Sequence, residues 1–283
     1  MMEILYDALL DTLKLIPFLY LTFLFLEFLE NKMSAKSEKI IEKSGKLGPL
    51  WGSILGAFPQ CGFSSAATNL YAARVISLGT LIAVYLSTSD EMLPILISNG
   101  IEPIRIIKII LLKVMIGIIF GFIVDTIVRK LQDNKHEGIH NLCTDEKCHC
   151  EEDGVFVAAL KHTLNIAIYV LIINVVLGFA IDSEAFKLFA GSIMHNSIFG
   201  PFIASLVGLI PNCASSIALT ELYLNNVISF GSMMAGLLSA AGIGLMILYR
   251  ENHNLKQNIY ITITLYCIGV ISGIIIDLLG IVA

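Results

Sequence analysis

The sequence of 283 residues has few charged side chains and a single tryptophan, and polar stretches are short. Only 14% of the residues are charged, whereas 56% are hydrophobic. Apolar runs of this extent exceed what the core of a soluble protein can bury, so the composition predicts a multi-pass protein of the inner or plasma membrane. A cleavable signal peptide is not expected, because acidic residues stand near the N-terminus where a basic region belongs.

Several catalytic and energy-coupling motifs are also absent from the sequence. It contains no glycine-rich Walker loop for ATP, no H-E-x-x-H and no G-x-S-x-G. The six cysteines include no C-x-x-C pair, which disfavours a thiol oxidoreductase within the membrane, although this remains the enzymatic alternative. We therefore expect a protein that is not an enzyme, that has no resident cofactor and no nucleic acid partner, and that is surrounded by the lipid bilayer.

The sequence does contain an internal repeat at a constant shift of 152 residues. The stretch GAFPQCGFSSAATNLY at Gly56–Tyr71 returns as GLIPNCASSIALTELY at Gly208–Tyr223. Between Gly48 and Gly79, 15 of 32 aligned positions are identical, which indicates a duplication. We divide the chain into a first membrane repeat at residues 1–128, a polar linker at 129–153 and a second membrane repeat at 154–283.

Each repeat contains a proline turn between two apolar stretches that are too short to cross a bilayer. In the first repeat the stretches are Gly48–Phe58 and Gly62–Ala73, on either side of Pro59, and the second repeat has the same arrangement around Pro211. Two half-helices that meet at a turn explain this pattern better than one plain span. The predicted fold class is an all-α polytopic membrane protein of about ten helical segments, with a broken-helix or re-entrant pair in each repeat.

Longer apolar stretches predict spans that cross the bilayer, at about residues 4–30, 103–128, 155–181, 227–248 and 259–281. The stretch Val75–Ile97 is also long enough, but the polar run Ser87–Glu91 interrupts it. Each repeat then crosses an odd number of times, so the two repeats have opposite orientations and form an inverted repeat. Lysines and arginines are concentrated around residues 32–46 and in the linker, which predicts a cytosolic linker and termini outside the cytosol.

Broken helices are tolerated in a bilayer only around a protein-lined cavity, so we predict a substrate site between the two proline turns. Its candidate ligands carry amide, hydroxyl, thiol or carboxyl groups: Gln60, Cys61, Ser64, Thr68, Asn69, Asn212, Cys213, Ser216, Thr220 and Glu221. Thiols are soft ligands and oxygen groups are harder, so the set suits a thiophilic metal or metalloid, or a borderline divalent cation. The alternative is that small residues only permit close helix packing there.

Acidic residues within apolar segments are costly unless they are paired, hydrated or protonated. Asp90 and Glu91 lie inside a span and Glu221 lies in the second half-helix pair, and none of these three is repeated as an acid in the other copy. We predict that they bind a metal or carry a coupling proton, H⁺ being the candidate coupling ion. The alternative for Asp90 and Glu91 is capping of a helix at an aqueous mouth.

The remaining charged residues in apolar segments have simpler interpretations. Lys14 and Lys113 are expected to extend towards the membrane interface, because a long side chain can bury its stem and keep its ammonium in water. Asp125 and Asp277, which repeat each other, are expected to be solvated carboxylates near the ends of spans.

The linker concentrates nitrogen and sulfur ligands within fifteen residues: His136, His140, Cys143, Cys148, His149 and Cys150. The spacing is not that of a zinc finger. A flexible metal-binding tether is one interpretation, and an unligated solvent loop is the other.

The stretch FPQCGFSSAATNLYAARVISLGTLIAVYLSTSDEMLPIL at Phe58–Leu96, its degenerate second copy and the Cys/His-rich linker resemble the ten-transmembrane heavy-metal exporters. Members of that family are described as arsenic efflux proteins or manganese transporters. The resemblance covers both repeats and implies ten helical segments, efflux from the cytoplasm and a metal or metalloid substrate. It also implies functional roles for four residues within the matching motifs, Cys61, Asp90, Glu91 and Cys213.

Together, the repeat and the resemblance predict a secondary-active exporter of a heavy metal or metalloid that works by alternating access. Arsenite, an organoarsenical and a Mn(II)-like divalent cation are the candidate substrates. A passive metal-ion channel, in which the half-helices form a filter, is the alternative.

Overall fold

The computed structural model of this chain describes residues 9–10, 12–13, 16–17, 19–21, 23–24, 47–58, 61–88, 92–131, 155–181 and 199–281. The fold is 83% helical, and the described residues form no β-strand. This confirms the prediction of an all-α polytopic membrane protein.

The described helices follow the repeat seen in the sequence. After helical residues between 9 and 24, the first repeat contains α1 (Gly48–Gly56), α2 (Cys61–Ala72), α3 (Leu78–Ser87), α4 (Met92–Ser98) and α5 (Pro103–Leu131). The second contains α6 (Val155–Ile181), α7 (Gly200–Gly208), α8 (Cys213–Leu224), α9 (Phe230–Ser239), α10 (Ile243–Glu251) and α11 (Leu255–Leu278). Helices α7, α8 and α9 have the bounds of α1, α2 and α3, each shifted by 152 residues.

The repeat extends to individual hydrogen bonds between helices. Ser53 Oγ of α1 donates to Ala83 O of α3 at 3.4 Å, and Ser205 Oγ of α7 donates to Ala235 O of α9 at 3.1 Å. Both serines are fully buried, so each bond satisfies a hydroxyl that has no access to water. The duplicated residues therefore form the same packed unit, α1 with α3 and α5 or α7 with α9 and α11.

The N-terminus of α3 is bonded to the side of α5. Ser77 is the N-cap of α3 and donates its hydroxyl to Asp125 Oδ2 at 2.8 Å, while Gly79 N donates to Asp125 Oδ1 at 2.7 Å. The carboxylate thus accepts from a helix N-terminus, where negative charge is favourable. The same two bonds recur at the N-terminus of α9 between Ser229, Gly231 and Asp277.

The prediction that Asp125 is a solvated carboxylate is therefore wrong. Its side chain is buried, with 6% of its surface exposed, because the backbone of α3 takes the place of water. Asp277 is exposed, as expected, but it makes the equivalent bonds to α9. The role of both residues is to fix one helix of each repeat against the next.

Glycines allow these helices to approach closely. A Cβ built on Gly121 of α5 would lie 2.8 Å from Gly79 O of α3, and one built on Gly273 of α11 would lie 2.5 Å from Gly231 O of α9. Small residues are the usual means of close helix packing in membranes, where apolar side chains gain little by leaving lipid. The α3–α5 and α9–α11 crossings therefore require glycine at both sides of the contact.

Both repeats contain a broken span, and one of the two breaks was not predicted. In the first repeat α3 ends at Ser87 and α4 begins at Met92, as the intervening polar run suggested. The span predicted at 227–248 is present as the apolar segment Phe230–Glu251, but it is not one helix, because α9 ends at Ser239 and α10 begins at Ile243. Gly242, with φ 55° and ψ −143°, adopts a backbone conformation between them that is essentially restricted to glycine.

The broken spans form the centre of the molecule and the continuous helices lie outside them. In the described part, four segments are long and apolar enough to cross a membrane: Leu78–Ser98, Pro103–Val128, Phe230–Glu251 and Leu255–Leu278. In the α9–α10 segment, the most apolar stretch of 18 residues is completely buried. In α5, only 28% of the most apolar stretch of that length is buried. The outer face of α5 exposes an apolar stripe at helical spacing, which suits contact with lipid: Ile104, Ile107, Leu111, Met115, Ile119, Ile123 and Ile127.

The two repeats are joined crosswise. Helix α2 of the first repeat packs against α10 of the second, and α8 of the second repeat packs against α4 of the first. The central helices α3 and α9 also contact each other. A further bond between the repeats joins α11 and α2, where Gln257 Nε2 donates to Tyr71 Oη at 2.5 Å. The second half-helix of each repeat, α2 or α8, therefore packs on a broken span that belongs to the other repeat.

Candidate functional site

Helix α2 carries a polar surface that is buried within the protein. Ser64, Ser65 and Thr68 have no exposed surface, and Asn69 has 3% exposed. Burying a hydroxyl or an amide costs free energy unless a hydrogen bond replaces the lost water. The partners of these four residues therefore decide which of them are structural and which are available to a ligand.

Thr68 is structural, since its hydroxyl joins three helices. Thr68 Oγ1 lies 2.7 Å from Ser64 O in its own helix, 2.6 Å from Tyr85 Oη of α3 and 3.2 Å from Gly244 O of α10. The single threonine proton goes to a carbonyl, so the fully buried Tyr85 hydroxyl is the donor in the pair. This cluster links the two repeats.

Gly244 is required at this junction because there is no room for a side chain. A Cβ at this position would lie 2.9 Å from Tyr85 Cε1 and 3.1 Å from both Ser64 O and Thr68 Oγ1. The absence of a side chain brings the backbone of α10 against α2 and exposes its carbonyl to Thr68. Sequence reasoning missed Tyr85 and Gly244, because neither residue lies in a proline turn.

Asn69 differs from its neighbours, because its amide has no partner among the residues that the structure describes. Neither Oδ1 nor Nδ2 of Asn69 makes a hydrogen bond to any part of the chain that the structure describes. Nearly all buried polar groups in native proteins are paired, so an unpaired buried amide requires an explanation. Ser65 precedes Asn69 by one helical turn, which places the two residues on one side of α2.

The second copy of this helix does not have the same polar surface. In α8 the residues equivalent to Ser65 and Asn69 are Ile217, which is half-buried, and Glu221, which is exposed. Thr220 is fully buried, but within the described residues its hydroxyl donates at 2.8 Å to Ser216 O of the same helix. The contact of α8 with α4 and α9 is made by apolar side chains of one cluster: Met92, Leu96, Leu219, Met233 and Leu237. Among the described residues of α8, the buried polar groups are the hydroxyls of Ser215 and Thr220, which donate to the nearby carbonyls of Asn212 and Ser216, and no buried amide corresponds to Asn69.

A lysine lies between the ends of the broken spans. Lys113 of α5 is 1% exposed, and its ammonium donates to Thr88 O at the end of α3 and to Leu237 O of α9 at 3.2 Å. The expectation that Lys113 extends to the membrane interface is wrong. Carbonyl oxygens replace water around the ammonium, and one of them belongs to Thr88, three residues after Tyr85 in the sequence.

The remaining predicted site residues are distributed as follows. Asn212 and Ser216 are half-buried at the start of α8, where the Asn212 carbonyl accepts from Ser215 Oγ at 2.8 Å. Cys61 and Cys213 begin α2 and α8, but their side chains lie outside the described part. Also outside it are Gln60, Asp90, Glu91, Lys14 and the linker residues His136, His140, Cys143, Cys148, His149 and Cys150. Among described residues, no three His, Cys, Asp or Glu side chains come together as metal ligands would.

The sequence matches one family model, described as "Putative, 10TM heavy-metal exporter", over residues 1–200 and again over residues 183–281. These two matches cover almost the whole chain. The chain belongs to the ten-transmembrane heavy-metal exporter family. No curated protein and no solved structure matches it.

Family membership and the helical architecture support each other. The heavy-metal exporter family has ten transmembrane segments by description, and this chain has an all-helical fold with apolar segments of spanning length. It is thus a multi-pass membrane protein of a transporter family, which favours transport over catalysis. The resemblance predicted from PQCGFS and STSDE is confirmed at the level of the family.

Proposed function

We propose that this exporter is a secondary-active carrier that moves a heavy metal or metalloid out of the cytoplasm by alternating access between two inverted repeats. The observation that carries the proposal is the crosswise packing of the half-helices α2 and α8, each on the broken span of the opposite repeat. Repeats joined in this way, with broken helices at their interface, are the usual architecture of gradient-driven carriers. Rocking one repeat against the other would move α2 along α10 and α8 along α4 together.

The substrate would bind beside the polar surface of α2. Asn69 offers an amide oxygen without a partner in the described structure, Ser65 precedes it by one helical turn, and the same helix begins at Cys61. Oxygen and sulfur ligands at successive turns suit a metalloid such as arsenite, an organoarsenical, or a Mn(II)-like cation. The equivalent surface of α8, with Ile217 and Glu221, would serve the opposite phase of the cycle rather than binding the substrate symmetrically.

Charge compensation and capture are assigned to groups around this surface. Asp90 and Glu91 follow directly on α3, and they would bind the cargo or carry protons together with Glu221. The linker, residues 129–153, would lie in the cytosol with both termini on the other side, so that its histidines and cysteines would meet the metal before transport. H⁺ is the coupling ion in this scheme, and no resident cofactor is needed.

Counterflow in proteoliposomes tests the proposal. Purified protein is reconstituted in vesicles preloaded with As(III), an organoarsenical, Mn(II) or no substrate, and uptake of the same labelled substrate is followed. An alternating carrier accumulates label above equilibrium only in vesicles preloaded with a substrate that it transports. Equal uptake with and without preloading would identify a passive channel, and no uptake for any member of the panel would contradict export of these substrates.

A further inference from the structure

Lys113 lies where backbone carbonyls of both repeats converge. The residue belongs to α5, one acceptor is Thr88 O at the end of α3, and the other is Leu237 O in the last turn of α9. The side chain is 1% exposed, so its charge is held in the interior of the protein. The ammonium is thus in contact with both broken spans at once.

Both carbonyls are available because the helices break there. In an unbroken helix, Leu237 O would accept from Ala241 N, but Ala241 N donates instead to Ser239 O at 2.9 Å. Thr88 has a ψ of 128° and stands outside α3, so it no longer has a helical partner four residues ahead. The breaks leave oxygen atoms that need a donor or a cation.

The surroundings favour positive charge at this point. Helices α3 and α9 both end here, and the C-terminal end of a helix carries partial negative charge. Helices α1, α3, α4 and α9 contain no charged residue. Asp90 and Glu91, the acids that follow Thr88, lie outside the described residues. In membrane carriers, carbonyls at the ends of broken helices coordinate small cations such as Na⁺.

We propose that these carbonyls form a binding site for a small monovalent cation and that the ammonium of Lys113 fills this site permanently. The residue of the second repeat equivalent to Lys113 is Leu265, which is fully buried in an apolar cluster, so the described residues of the second repeat hold no ammonium at the equivalent position. Lys113 then replaces a dissolved co-ion. A site that is permanently filled in this way implies that export needs neither Na⁺ nor K⁺. Only this consequence for ion coupling rests on the proposed function.

Thermal stability in different salts tests the site without any transport measurement. The full chain and its variants K113A, K113L and K108A are purified, and melting temperatures are compared in 100 mM NaCl, KCl or choline chloride. K113A removes the ammonium and leaves space for an ion, whereas K113L fills the space with the residue that the second repeat has. Lys108 is an exposed lysine on the same helix and serves as the matched control.

The proposal predicts that Na⁺ or K⁺ raises the melting temperature of K113A by about 3 °C or more relative to choline. The natural protein, K113L and K108A are expected to melt within about 1 °C in all three salts, since none of them has an empty site. Equal melting of K113A in the three salts would overturn the proposal, and so would the same salt response in K113L. If K113A yields no folded protein in choline, restoration of the folded yield by Na⁺ or K⁺ supports the site. The variant K113S is then measured as well, and a K113S stability that does not depend on the salt refutes the site.

Counterflow then separates this site from the proposed function. With a substrate that the natural protein exchanges, K113A should show exchange that depends on Na⁺ or K⁺, while the natural protein exchanges equally well in choline. If Na⁺ stabilises K113A but neither the variant nor the natural protein exchanges any metal, the cation site is supported and the carrier proposal is refuted. Exchange by K113A that is independent of both ions would refute the coupling role of Lys113.

Discussion

At the scale of single residues, the two copies of the half-helix, α2 and α8, have the same bounds within their repeats but differ in their polar side chains. Thr68 and Thr220 are both fully buried, yet only Thr68 bonds across to the other repeat. One turn from Ser65, Asn69 has an amide without a partner in the described structure, while the equivalent Glu221 is exposed. These differences support placing the proposed binding surface in the first copy alone.

Replacing Asn69 by Leu should stabilise the protein and impair transport. The substitution keeps the side-chain volume and removes an amide that has no hydrogen bond in the described structure, so the free energy of unfolding should rise by about 1 kcal/mol. Substrate exchange should fall by about tenfold or more, because the ligand loses a partner. Thermal unfolding and counterflow of the same preparation check both parts.

Asn225 provides the matched control for Asn69, since it is an exposed asparagine just after α8. The change N225L should leave both exchange and melting close to those of the natural protein. A loss of more than about 1 kcal/mol in N69L would show that the amide has a structural partner. Unchanged exchange in N69L would remove Asn69 from the binding site.

Valine at Thr68 should cost more stability than valine at Thr220. Both substitutions replace a fully buried hydroxyl by a methyl group of similar size, so packing largely cancels in the comparison. T68V also removes the described partner of the Tyr85 hydroxyl, and a buried unpaired hydroxyl costs about 1–3 kcal/mol. T220V breaks only a bond within α8 and should change stability by less than about 0.5 kcal/mol.

Chemical denaturation in detergent measures the two threonine variants side by side. The variant T68V combined with Y85F supplies a further check, because the second change removes the hydroxyl that the first leaves unpaired. The double variant should be more stable than T68V alone. Equal losses in T68V and T220V would show that the contact across the repeats adds nothing to stability.

At the scale of elements, the two central spans are broken by different means. In the first, Ser87 and Thr88 turn their hydroxyls back onto Ala83 O and Val84 O at the end of α3. In the second, Gly242 adopts a positive φ that other residues reach only with strain. The same architecture is thus reached with a polar run in one copy and with small residues in the other.

This difference explains which elements could be predicted from the sequence. The half-helices around Pro59 and Pro211 and the break after Ser87 are marked by proline or by polar residues, which are rare inside spans. The break before Ile243 lies in a run of Ala and Gly that reads as a continuous apolar span. Hydropathy is blind to the backbone conformation of one glycine, so this break appears only in three dimensions.

Alanine at Gly121 should destabilise the crossing of α3 and α5, even though alanine favours a helix by about 1 kcal/mol. The added methyl would lie 2.8 Å from Gly79 O and 2.9 Å from Pro49 Cβ and Ala83 Cβ, so the helices must separate. We expect a net loss of about 1–3 kcal/mol in thermal unfolding. I123A, on the exposed side of the same helix, should change stability by less than about 0.5 kcal/mol, and a more stable G121A would contradict the close packing.

At the scale of the whole molecule, the interior contacts that matter most connect residues far apart in the chain. Thr68 meets Gly244 across 176 positions, and Lys113 meets Leu237 across 124. The sequence alone indicated that a lysine within a span is energetically costly, and the ammonium of Lys113 was expected to reach water at the membrane interface. The partners that the structure describes for it include carbonyls freed by helix breaks in two repeats, which no local pattern could have brought together.

Crosswise packing implies that neither repeat is a complete folding unit. Alone, residues 1–140 would expose the polar surface of α2 that α10 covers, and residues 141–283 would expose the apolar surface of α8 that α4 covers. Ser64, Thr68 and Tyr85 would then lose the neighbour that excludes lipid from their hydroxyls, at a cost of several kcal/mol in total. Each half expressed alone should therefore be degraded or melt without a cooperative transition.

Expressing the two halves together should restore the folded protein, because the crosswise contacts need both repeats but not the peptide bond between residues 140 and 141. We expect the halves to copurify and to melt cooperatively within a few degrees of the intact chain. Proteolytic cleavage of the complex should be confined to the linker between α5 and α6. The T68V substitution in the first half should weaken copurification more than T220V in the second, since of these two threonines Thr68 alone has a described bond to the other repeat. Halves that fold separately, each with the cooperative melting of the intact chain, would contradict the shared core.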